Sequence, residues 1–156
     1  MKRLEWRLLA AFGLAAVLFP GAGSRAEDTG VVTLSPDQMT WTDFPGRPGV
    51  KLAVIEGGLK EPGPFTVRLK FPANFKLNPH WHSITEHVTV ISGMFYFGLG
   101  DTLDESKAKA LPPGSALITP AKVHHFAYTK GDEVVIQTHG IGPWDSIPVV
   151  AAPPAK

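Results

Sequence analysis

Glycine and proline punctuate this chain so densely that long helices have little room. There are 16 glycines and 15 prolines among 156 residues. Gly46-Arg47-Pro48-Gly49, Gly57-Gly58, Glu61-Pro62-Gly63-Pro64 and Pro112-Pro113-Gly114 read as turns. Short β-forming runs lie between them. Residues 50–55 form one such run, and residues 65–71 alternate apolar and polar, the mark of a half-buried strand. Residues 75–82 read as a further strand, interrupted at Asn78-Pro79, and residues 87–91 as the next. Ser92-Gly93 reads as a tight hairpin turn with residues 94–97 returning. Residues 31–34, 115–119, 125–129 and 134–138 complete the expected strands, and the polar stretch 101–109 has room for one helical turn. The length suits one domain, and 44% hydrophobic with 19% charged residues is an ordinary globular balance. The expectation is an all-β sandwich or jelly-roll barrel.

The N-terminus reads as a secretory signal peptide. Residues 1–7 lean basic, and residues 8–19 are an apolar run of twelve. Pro20-Gly21-Ala22-Gly23 breaks that run, and Ser24-Arg25-Ala26 gives a small-x-small cleavage pattern ahead of Glu27. Twelve apolar residues fall short of the roughly twenty that span a bilayer. The expectation is a signal peptide at 1–26, a domain at 27–150, a disordered tail at 151–156, and no stable membrane anchor after cleavage. With no cysteine in the chain, a lipid-modified lipoprotein, disulfides, thiolate ligands and a Cys nucleophile are excluded. A bacterial periplasmic or secreted location follows as the expectation. Removal of residues 1–26 takes the net charge from +1 to −2. No basic stripe remains to bind nucleic acid.

The chemistry concentrates in His80-Trp81-His82-Ser83-Ile84-Thr85-Glu86. Side chains two apart on a strand share a face, so His80 and His82 project together. Glu86 keeps that parity if the bend after His82 preserves it. His124-His125 offers another imidazole, and only one of two strand neighbours can face the same way. Three imidazoles and a carboxylate suit one divalent transition metal ion: Fe, Mn, Ni, Cu or Zn. Such a set leaves one positive charge on the ion, which attracts anionic or chelating oxygen ligands. The plainer alternative is two surface histidines beside a solvated glutamate. Neither a phosphate-binding glycine loop, nor G-x-S-x-G, nor HExxH is present.

His80-x-His82-x-x-x-Glu86, six residues and then Gly93 resembles the first signature of the cupin superfamily. Gly114, five residues, Pro120 and then His125 resembles the second. Three positions depart from the pattern: Asn74 and Lys122 stand where it has Gly, and Thr129 where it has Asn. The resemblance implies a double-stranded β-helix, a cupin-like jelly-roll barrel, with the metal inside its mouth. It implies His80, His82, Glu86 and His125 as ligands, and strand parity then turns His124 and His87 away. Arg68, Tyr96, Gln137 and His139 are weaker candidates for substrate contacts, and Trp144 for closing the barrel or meeting a second copy. Trp81 should pack on the opposite face. By the same resemblance the chain is a mononuclear metalloenzyme acting on a small oxygen-rich molecule, dioxygenase-, lyase- or isomerase-like. The alternative is a non-enzymatic small-ligand or metal-binding module. A homodimer that covers exposed strand edges is also implied.

Overall fold

The computed structural model describes residues 30–150, so the expected signal peptide and tail lie outside the described residues. The compact unit starts at Thr33. It contains strands β1 (Thr42–Asp43), β2 (Lys51–Glu56), β3 (Gly63–Phe71), β4 (Lys76–Trp81), β5 (Glu86–Ser92) and β6 (Phe95–Leu99), then β7 (Lys109–Leu111), β8 (Ala116–Thr119), β9 (His125–Tyr128), β10 (Val134–Gly142) and β11 (Ile147–Pro148). Single 3-10 turns lie at Pro36–Gln38 and Glu105–Lys107. The strands form two antiparallel sheets, ordered β1-β2-β3-β10-β5-β8 and β11-β4-β9-β6-β7. This is the jelly-roll barrel.

The core lies between the sheets. Alternation drives each strand to bury one side: Phe65, Val67, Leu69 and Phe71 on β3, Val88 and Val90 on β5, Val134 and Ile136 on β10. From the smaller sheet come Phe95, Leu111 and Ala127. Burying side chains of this size is worth roughly 1.5–3 kcal/mol each, and this central packing holds the mouth residues in place.

Two sequence expectations need correction. Residues 31–34 form no strand, and Val31 and Val32 are exposed. Ser92-Gly93 is a turn but not a hairpin. It carries the chain from one sheet to the other, because β5 pairs with β10 and β8 while β6 pairs with β9 and β7. Gly93 has φ 74°, and a Cβ there would lie 2.4 Å from the Glu133 carbonyl oxygen. The corner lets Val90 and Phe95 reach one core from opposite sheets.

The interruption at Asn78-Pro79 sets the phase of the site. Leu77 pairs with Ala127, whereas His80 pairs with His125, so three residues on β4 oppose two on β9. This bulge flips the parity of the strand. Phe75 and Leu77 pack against the core at odd positions. His80 and His82 are buried at even ones.

Candidate functional site

Three segments bring the four residues of the polar cluster together at the end of the barrel. His80 comes from β4, His82 from the residue after it, Glu86 from the first position of β5, and His125 from the first position of β9. All four are nearly inaccessible to solvent. The ring centroids of His80 and His125 are 4.3 Å apart, those of His80 and His82 5.0 Å, and those of His82 and His125 5.1 Å. Ligand atoms of the three histidines lie within 4.8 Å of one another. Glu86 stands at the edge of this group, with Oε2 3.5 Å from His82 Nε2.

Backbone carbonyls fix the tautomers. Nδ1–H of His80 donates to the Asn78 carbonyl at 2.8 Å, and that of His125 to the Val123 carbonyl at 2.9 Å. His82 Nδ1–H donates to the Asp145 carbonyl. A carbonyl can only accept, so each Nδ1 carries the proton and each Nε2 keeps a free lone pair. Such outer hydrogen bonds are how metal-binding imidazoles are usually oriented.

Burial decides the charges. It pushes His80 down to about 3, helped by the nearby His125, and holds His82 and His125 below their ordinary value. All three are therefore neutral, the form a cation binds. Burial pushes Glu86 up to about 7, while His125 and Arg47 act in the other direction. A divalent ion beside it favours the carboxylate. The fit to a metal is good: three buried lone pairs converge with a carboxyl group beside them.

Apolar side chains enclose the cluster. Phe97 stacks on His125 at 5.3 Å and Trp144 on His82 at 5.5 Å. The inner cavity holds only about 30 Å³, space for about one water-sized group. An outer groove of about 640 Å³ adjoins it. Phe44, Arg47, Leu77, His80 and Trp144 line both spaces.

The other histidines lie elsewhere. His124 is partly exposed, its Nδ1 2.6 Å from an Asp101 carboxylate oxygen, and it stacks on Trp81. His87 and His139 are cross-strand neighbours on β5 and β10, rings stacked at 4.9 Å. They occupy odd positions, whereas the buried residues of these strands are even.

The structure does not bring Arg68, Tyr96, Gln137 or His139 into the lining of either space. Arg68 pairs across the strands with Gln137, Nε donating to its Oε1 at 3.2 Å, on the side opposite the buried face of β3. Tyr96 stacks on Tyr128 at 4.7 Å beneath Lys130. Trp144 stacks on His82 and lines both spaces. The structure adds Arg47 and the Asp145 carbonyl, which no sequence pattern marks, and sets Phe97, by sequence a core aromatic near the metal strands, against His125.

The three departures from the cupin pattern also become intelligible. Asn74 and Lys122 have φ of 58° and 65°, the left-handed region that glycine occupies freely. Lys122 N–H donates to the His82 carbonyl at 2.8 Å, so the strained turn ties the two signature segments together. The buried Thr129 hydroxyl donates to the Pro72 carbonyl at 2.6 Å and accepts from Phe75 N–H at 2.9 Å.

Residues 29–140 match the family model of the ChrR cupin-like domain. The chain belongs to the ChrR cupin-like family. Many solved structures share this cupin's fold. KdgF from Halomonas sp. is 24% identical, with 69% of this chain and 91% of that chain covered and a TM-score of 0.53. The polyketide cyclase RemF from Streptomyces resistomycificus is 15% identical, with 78% and 87% covered and a TM-score of 0.62. A chain from the Rhodobacter sphaeroides complex of SigE with the anti-sigma ChrR is 19% identical, with 67% and 50% covered and a TM-score of 0.50. At these identities the likeness is one of fold. No curated protein sequence matches this cupin.

Proposed function

We propose that this cupin is a mononuclear metalloenzyme acting on a small oxygen-rich molecule. His80, His82 and His125 would hold the ion with Glu86 as the fourth donor. The observation that carries the reading is the set of three buried imidazoles, each with Nδ1–H tied to a carbonyl and Nε2 left free. Bound there, a divalent Fe, Mn, Ni, Cu or Zn ion would supply Lewis-acid chemistry, or redox chemistry for the redox-active members. The chain's own residues do the rest. The carbonyls orient the rings, Phe97 and Trp144 exclude water, and the outer groove admits the substrate.

A second reading is a binding module without turnover, favoured by the small volume beside the imidazoles. Both readings are compatible with a periplasmic or secreted protein, on the strength of the apolar N-terminal run. A homodimer is supported by the exposed Ile118 on β8, the last strand of its sheet.

The test is to strip the protein with a chelator and reload it with one metal at a time. Each form is then assayed for oxygen uptake and for conversion of a panel of small hydroxy and keto acids. Turnover that follows a single metal supports the enzyme. Stoichiometric metal without turnover across the panel supports the module.

A further inference from the structure

Arg47 lies in the loop between β1 and β2, at the boundary of the inner cavity and the outer groove. The loop is tightly held: Arg47 N–H donates to the Phe44 carbonyl at 3.2 Å, and Val50 N–H to the Arg47 carbonyl at 3.1 Å. Its guanidinium lies over the Phe44 ring at 5.4 Å. Nη2 donates to the Ser146 hydroxyl at 2.5 Å, which fixes the side chain across the mouth. That is one hydrogen bond for a group with five N–H donors. Among the described residues no carboxylate lies within ion-pair distance of it. The ion pairs found all involve other groups.

A half-buried guanidinium without a counter-ion is uncommon, because charges withdrawn from water are normally paired. Its charge reaches Glu86, His80 and His82, so it borders the metal-binding cluster. A divalent ion held by three neutral imidazoles and one carboxylate carries one net positive charge, and Arg47 adds a second. Lys60 and Lys76 line the same groove with Asp145, and Lys76 is paired with Glu105 at 3.1 Å, which leaves Lys60 as the further cation there. Asp145 is partly engaged, since its Oδ1 accepts from Ser83 N–H at 2.8 Å.

We propose that the site takes a small carboxylate and that Arg47 is the residue that binds its carboxyl group. The planar fork matches a carboxylate in two-point contact. The inner cavity is too small for such a ligand, so its carboxylate sits on the groove side, beside His80 and Trp144. This assignment rests on the metal-site reading for the second half of its charge.

The experiment uses the protein loaded with Co(II) and titrated with acetate, followed by the paramagnetic broadening of the acetate methyl proton signal, which needs proximity to the cobalt but not coordination. Acetamide, neutral and of the same shape, serves as the control. The expected result is acetate affinity about tenfold to a hundredfold weaker in Arg47→Gln, with Arg47→Lys between and acetamide not binding. Cobalt content stays equal in all three proteins. Equal acetate affinity in Arg47→Gln and the unaltered chain, or acetamide binding as well as acetate, overturns the assignment. Failure of the unaltered chain to hold cobalt sinks the metal reading instead. Acetate is then followed on the metal-free protein by proton NMR line broadening, where loss of the contrast between Arg47 and its Gln variant overturns the carboxylate site.

Discussion

The six histidines of this cupin divide into two groups of three. His80, His82 and His125 are buried at the barrel mouth, and their Nδ1–H groups are all consumed by carbonyls. His87, His124 and His139 stand outside, with a mixed set of neighbours: a stacked ring, an aspartate, a tryptophan. The difference is one of facing, since His124 and His125 are adjacent in sequence and still fall in different groups. Imidazole itself does not make a metal site. Burial strips the proton from Nε2, and a fixed backbone acceptor aims it.

That contrast can be broken most directly at the inner group. Replacing His80, His82 or His125 with Ala removes one of very few buried donors. Bound metal, read by elemental analysis, is expected to fall to below about a tenth of the unaltered level. Retention of full metal by any one of these variants would remove that residue from the ligand set.

The tryptophans sharpen the comparison at lower energy. Trp144 stacks on the inner His82 and packs against Phe65 and Phe44. Trp81 stacks on the outer His124 at 6.4 Å. Urea denaturation of Trp144→Ala is expected to show a loss of about 2–4 kcal/mol, against about 1 kcal/mol or less for Trp81→Ala. Equal losses would mean that the mouth is no better packed than the outer surface.

The smallest effect belongs to the strained turn. Lys122→Gly relieves a left-handed backbone and is expected to raise stability by about 0.5–1 kcal/mol with metal content unchanged. Asn74→Gly should gain less, a few tenths of a kcal/mol, because asparagine tolerates that region better. A loss of stability in Lys122→Gly would show that the lysine side chain contributes more than its backbone strain costs.

The barrel was legible because alternation and turn signals act locally. The apolar phase of residues 65–71 marks β3 without help from the rest of the chain. The inner histidines were legible by spacing, and the Asn78-Pro79 interruption explains why Leu77 and His80 both face inward despite opposite parity. The same phase could have placed Arg68 outside, since Phe65, Val67 and Leu69 are the buried partners on its strand. Gln137 and His139 are likewise out of phase with Val134 and Ile136. The Ser92-Gly93 corner reads as a hairpin in sequence because a tight turn carries no mark of which sheet the chain enters next. Arg47 and the Asp145 carbonyl were not legible. They sit on loops with no period, and contacts such as Arg47 with Ser146 join residues 99 positions apart.

The most direct measurement compares two triple variants of the full chain, reloaded with the same metal and analysed for metal per chain. One replaces His80, His82 and His125 with Ala, and the other replaces His87, His124 and His139. The expected result is no bound metal in the first and one ion per chain in the second, with both folded by circular dichroism. Metal retained in the first, or lost from the second, would contradict it.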